Sequence, residues 1–173
     1  MKQILFTCFM MVMCALLWTW QIEGNTQNIA LERAKNAVNR AAHGASLQID
    51  KLSLSNGKLV FDRTQALNAF TDILSKNMQL DSSLKALPDT LFQGQVQIVY
   101  EDYVDDSNVV ARYGSGFDDG AKLYQYHSTD FNLEQLIYGP SVIYVIKVQK
   151  PLQINSSTDQ FYYVGSIYEY PSY

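Results

Sequence analysis

Beyond residue 14 the chain has no cysteine. Cys8 and Cys14 both lie in one apolar stretch, so the remaining polar part can form neither a disulfide nor a thiolate metal site. Histidine is almost as scarce. His43 and His127 are the only two, and neither has a partner at metal-ligand spacing. No Walker sequence, dinucleotide-binding glycine fingerprint or H-E-x-x-H occurs. Ser115, between Gly114 and Gly116, lacks the G-x-S-x-G spacing. An enzyme would have to work with carboxylates alone, and neither catalysis nor a cofactor is expected. No basic patch with interleaved aromatics is found, and the net charge is −4. That balance argues against nucleic acid as a partner and against a domain lying on anionic lipid. Internal repeats and low-complexity tracts are also missing.

The chain does have a long apolar run at its start. Ile4–Trp20 is apolar apart from two threonines. Its 17 residues make roughly 26 Å of helix at 1.5 Å per residue, the lower limit for a hydrocarbon core of about 30 Å. Signal-peptide cores are shorter, about 7–15 residues, and are followed by small residues. Here the run leads into Leu17-Trp18-Thr19-Trp20, with indoles where a cleavage pattern would sit. Trp18 and Trp20 read better as a membrane-interface belt, so a retained signal-anchor is favoured over a cleaved signal. Neither cysteine has the small preceding residue expected of a lipidation site. The few residues before the span cannot form a domain, and an apolar segment near the start normally directs export. The expected topology is therefore a single pass through the cell membrane, with the N-terminus inside and the C-terminal domain extracellular.

Residues 1–28 are accordingly expected to be anchor and joint, with Gly24 and Asn25 as possible breakers that kink the helix in Gln21–Asn28. Residues 29–173 form the carried domain, opened by a stalk helix over 29–47. Leu31, Ala34, Val38, Ala41 and Ala45 recur at helical spacing on one face. Their small size lets another backbone come close. The face can lie on the chain's own sheet, or it can pack against copies or other membrane proteins. The sequence favours the first, because an attached helix must bury its apolar stripe. On the second, a bulky residue at Ala41 would disturb assembly and leave the domain folded.

Asn56-Gly57 between alternating Leu52/Leu54 and Leu59/Phe61 predicts a β-hairpin. Asp62 and Gln65 mark a capping box opening a second helix, with Ala66, Leu67, Phe70, Ile73, Leu74 and Met78 on one face and an end near 77–80. The chain is then mostly β. Strands are expected around 96–100, at 109–113, at 122–126, at 142–148 and at 161–170, with a helical turn at 131–138. The run 142–148 is the most apolar and is expected to be central. The fold class is α+β: a long N-terminal helix on a small, mainly antiparallel sheet with one further helix.

Three features remain as possible sites. The carboxylates Glu101, Asp102, Asp105, Asp106, Asp118 and Asp119 could converge on calcium, but their spacing does not match an EF-hand loop and acids at hairpin ends are ordinarily solvated. His43, on the stalk, reads as a surface or interface histidine before a pH sensor. Tyr162, Tyr163, Tyr168, Tyr170 and Tyr173 could form a recognition surface, although tyrosine is common in ordinary sheets.

The segment Leu31-Glu-Arg-Ala-Lys-Asn-Ala-Val-Asn-Arg-Ala-Ala-His-Gly-Ala-Ser-Leu-Gln-Ile-Asp50 resembles the helix after the single span in a group of Bacillus-type membrane proteins. Asn68–Asp81, Gly139–Val142 and Ile167–Tyr170 are similar to further segments of that group. In architecture these resemble TadE-like pseudopilins, in which an extended N-terminal helix carries a small β-rich domain. The resemblance implies a non-enzymatic role in a surface or secretion assembly and no catalytic residues. The departure is at the start. Only Met1-Lys2-Gln3 precedes the span, and no acid occurs within it. Peptidase processing and ordinary pilus polymerisation therefore do not carry over.

Overall fold

The computed structural model describes residues 2–117, 123–128, 130, 131, 133–151 and 160–171. Helix α1 spans Lys2–Ser46, and its 45 residues extend roughly 68 Å. The joint expected at 21–28 does not break the helix. Neither Gly24 nor Asn25 interrupts the helix. Without proline, no ring clash or missing donor forces a break.

The Asn56-Gly57 hairpin is also corrected. Its flanks do meet in an antiparallel bridge between Ile49 and Phe61. The residues between them form a short helix, α2, Lys51–Ser55. The Asp50 carboxylate accepts from the Leu52 and Ser53 amides and the Ser53 hydroxyl. That cap starts a helical turn, Asn56 closes it, and Gly57 takes the positive φ of 73° that follows. Leu52 and Leu54 stay exposed, so no apolar face holds the segment to a strand register.

Helix α3, Arg63–Met78, matches the expected second helix. Asp62 caps the Gln65 amide, and Gln79 ends the helix in the left-handed region. Strands β1 (Gln93–Val104), β4 (Ser141–Gln149) and β5 (Phe161–Glu169) form an antiparallel sheet of order β1-β4-β5. The most apolar strand is central, as expected. Between β1 and β4 lie helix α4 (Val109–Tyr113) and a two-stranded ribbon, β2 (Tyr124–Ser128) with β3 (Leu133–Ile137). Two expectations reverse here. Val109-Val110 opens a helix, because the Asp105 carbonyl accepts from the Asn108 and Val109 amides and sets a helical turn. The stretch 131–138 supplies a strand that buries Ile137 and lays Leu133 on Gly165.

The architecture is α+β, with three layers. One face of β4 turns Val142, Tyr144, Ile146 and Val148 towards α1 and α3. The other presents Ile143 to Val104, Val109, Tyr124, Tyr126 and Ile137 under the ribbon. Phe70 of α3 stacks on Tyr144 at 3.9 Å between centroids, and Tyr144 shares a hydrogen bond with Tyr103 of β1. Burial pushes the Tyr144 hydroxyl well above its usual titration range, so it stays a neutral hydrogen-bonding group.

Ala41 has no exposed surface. Ala41→Leu should therefore destabilise the domain itself, by about 1–3 kcal/mol from overpacking. Urea unfolding of the detergent-solubilised full chain, followed by circular dichroism, measures this. The exposed Asn39→Leu should change stability by less than about 0.5 kcal/mol.

Candidate functional site

The first half of α1 has nothing packed on it. Every side chain from residue 2 to residue 22 is exposed, including Trp18 at 74% and Trp20 at 73%. An 18-residue window here has a mean hydropathy of 1.8, and none of it is buried. Among the described residues this is one helix long and apolar enough to cross a membrane. Its polar atoms suit an apolar surrounding. The Thr7 hydroxyl donates to the Gln3 carbonyl and the Thr19 hydroxyl to the Ala15 carbonyl, both at 2.9 Å. Each hydroxyl thus donates its hydrogen bond within its own helix, the arrangement that an apolar surrounding would require.

The second half is the packing face. Ala34, Val38, Ala41 and Ala45 are fully buried, and Leu31 is half-buried beside them. The face lies on the chain's own β4, β5 and α3 and is not open to a second copy. The fully buried positions run from Ala30 to Ser46. Ala30, Ala42 and Gly44 belong to the same face and were missed by counting one stripe. The signal was present, since small residues stand at nearly every position of 41–46. Gly44 shows how close the approach is: a Cβ there would stand 2.1 Å from Ile73 Cδ1 of α3.

Asp102, Asp105 and Asp106 are held by internal donors, whereas Glu101 is exposed. Asp102 receives both Arg112 guanidinium nitrogens, at 2.6 and 2.7 Å, the Tyr126 hydroxyl at 3.0 Å and the Tyr103 amide at 2.8 Å. Burial pushes the Asp102 carboxyl up, but these hydrogen bonds outweigh it and hold the group below the usual carboxylate range. Burial pushes the Tyr126 hydroxyl far above its usual range, helped by its hydrogen bond with Tyr100. Asp105, fully buried, accepts from the Ser107 amide and hydroxyl and from the Phe61 amide. Asp106 accepts from the Leu59 amide at 2.7 Å. These carboxylates tie β1 to α4, to the ribbon and to the segment entering α3. They do not converge, and among the described residues no group of three His, Cys, Asp or Glu could hold a metal ion. Asp118, Asp119 and Tyr173 lie outside the described residues.

The histidines stand apart. His127 pairs with Glu134 across the ribbon, with Nδ1 2.9 Å from Oε1. His43 lies against the Tyr168 ring, 4.7 Å between centroids, and its buried Nδ1 has no hydrogen-bond partner among the described residues. The tyrosines are mostly sheet packing. Tyr162, Tyr168 and Tyr170 pack on the core between the sheet and helices α1 and α3, while Tyr163 stays 58% exposed.

No protein-family model, curated protein or solved structure matches this chain.

The Asp102–Arg112 pair generates a pH-dependent expectation. A carboxyl whose folded pKa is depressed contributes stability above its unfolded pKa of about 3.9, and that contribution is lost as pH falls through the lower folded value. Arg112→Gln should cost about 1 kcal/mol at pH 7, since Arg112 is partly exposed. The gap between wild type and variant should begin to narrow as the pH falls below about 4 and close only below the folded pKa. Paired urea titrations at pH 7 and pH 3 measure it, and a gap as wide at pH 3 as at pH 7 would refute the assignment.

Proposed function

We propose that the protein is a single-pass, signal-anchored membrane protein. Its α+β domain, residues 29–173, stands outside the cell on a helical stalk. It serves as a non-enzymatic, pseudopilin-like component of a surface or secretion assembly. One observation carries this reading: α1 runs unbroken from an exposed apolar half into a half buried by its own domain. A helix with two such different environments suits lipid at one end and a folded domain at the other. The extended helix carrying a small sheet also fits the TadE-like resemblance of the stalk sequence.

The burial of Ala34, Val38 and Ala41 redirects the assembly contact. Copies or other membrane proteins would meet the apolar half, between Ile4 and Ile22, where side chains have no partner. The same burial favours a second reading, an exported module that binds its ligand or the cell wall as a monomer.

Two measurements test the proposal. The protein should stay in membranes through alkaline carbonate extraction and retain residues 4–20 in its cellular form by mass spectrometry. Release by carbonate, or a form lacking that stretch, would overturn the anchor. A photo-crosslinking residue at Leu16 should give discrete protein adducts in intact membranes. Monomer alone would favour the second reading.

A further inference from the structure

We infer that a cleft between α1 and the end of α3 binds a small soluble molecule through an oxyanion, phosphate or carboxylate. Arg33, Asn36 and Arg40 line it from α1, Asn77 and Gln79 from the end of α3, and Phe92 from the segment entering β1. No carboxylate lines it, in a chain of net charge −4.

The arginines single it out. The chain has four. Arg112 is neutralised by Asp102, and Arg63 lies over the Tyr103 ring. Arg33 has no partner among the described residues, and Arg40 donates only to the neutral Asn77 Oδ1, at 3.1 Å. That bond turns Arg40 towards α3 without cancelling its charge. Glu32, the nearest acid in sequence, pairs with Lys35 instead. Arg33 and Arg40 are two helical turns apart with Asn36 between them, so all three reach the cleft from one face. Planar guanidinium forks flanking an amide donor match the geometry of phosphate and carboxylate.

Volume and position narrow the ligand. The cleft holds about 270 Å³, room for about nine waters at ~30 Å³ each, which suits a small metabolite-sized anion. Its source rests on the anchor proposed above. Arg33 lies thirteen residues past Trp20, roughly 20 Å along the helix, and still about 15 Å from it along the membrane normal at a 40° tilt. The headgroup layer is only about 5–8 Å deep on each side. The cleft therefore draws on soluble anions in preference to lipid phosphates.

The test is calorimetric titration of the full-length protein in neutral detergent with inorganic phosphate at constant ionic strength. Saturable binding at millimolar concentration or tighter is expected. Arg33→Gln/Arg40→Gln should weaken it at least tenfold, and Lys35→Gln should leave it unchanged. Both arginines are exposed, so the double variant should keep the wild-type melting temperature. If it does not, Arg33→Gln alone serves, because that side chain holds nothing in the fold. No saturable binding, or equal affinity in the arginine variants, overturns the inference. Repeating the titration in nanodiscs separates the sources. An unchanged affinity with phosphatidylglycerol present supports a soluble ligand, and competition by that lipid, dependent on Arg33, overturns it. Carbonate extraction fails or succeeds independently of phosphate affinity, so the anchor and the cleft can be refuted separately.

Discussion

The domain depends on how closely α1 can approach the sheet. A helix lined by large residues would stand off by the length of its side chains. Here Ala30, Ala34, Ala37, Ala41 and Ala45 remove that layer, and Gly44 removes even the Cβ facing Ile73. Each alanine buries little area, so the seam contributes little directly. Its effect is to let larger groups fill the remaining space. Phe70 reaches the Tyr144 ring, and Val38 is fully enclosed. Interiors pack at crystal-like density, so a methylene added to this seam displaces the sheet or α3 as a unit.

Polar groups do the complementary work at the far end of the domain. Asp102, Asp105 and Asp106 follow one another closely in the chain, yet Asp102 faces the ribbon and α4 while Asp105 and Asp106 hold the Phe61 and Leu59 amides of the segment entering α3. Each is a carboxylate that accepts from an amide, and Asp102 and Asp105 accept from hydroxyls or a guanidinium as well. A cation would have to displace those donors. Among the described residues, Asp102, Asp105 and Asp106 therefore act as internal joints.

The elements legible in the sequence were those whose local signals agreed with their tertiary setting. The Asp62 cap, the Phe70–Leu74–Met78 face and the apolar run of β4 each carry one periodicity and one clear boundary. The alanine face was readable for the same reason, and the need to bury a stripe assigned it to the chain's own sheet. Misreadings arose where two signals competed. Asn56-Gly57 fits a hairpin turn, but Asp50 could cap a helix six residues earlier, and Leu52 and Leu54 had no sheet to face. Val109-Val110 has strand propensity, but the Asp105 carbonyl and the Asn108 turn set helical geometry first. The Arg33–Arg40 cleft was not legible at all. Its far wall comes from Asn77 and Gln79, some forty residues on, and no local pattern links the two.

The uninterrupted helix bears on what the domain can do. A domain on a flexible linker samples many orientations, and its binding surface faces the membrane as often as it faces away. Here the hydrogen-bond ladder continues through residues 21–28, where a joint was expected. The domain also grips α1 close to that region, since the Tyr162 hydroxyl reaches the Gln27 carbonyl. Reorienting the domain would mean breaking helical hydrogen bonds in a stretch that has no proline to weaken them. Such rigidity fixes both the height and the rotational setting of the domain relative to the apolar half. A freely sampling receptor gains little from that, whereas a part that must meet its neighbours in register gains a great deal. The continuity of α1 therefore supports the assembly reading over the monomeric module, and it holds the Arg33–Arg40 cleft at a constant distance from whatever encloses the first turns of the helix.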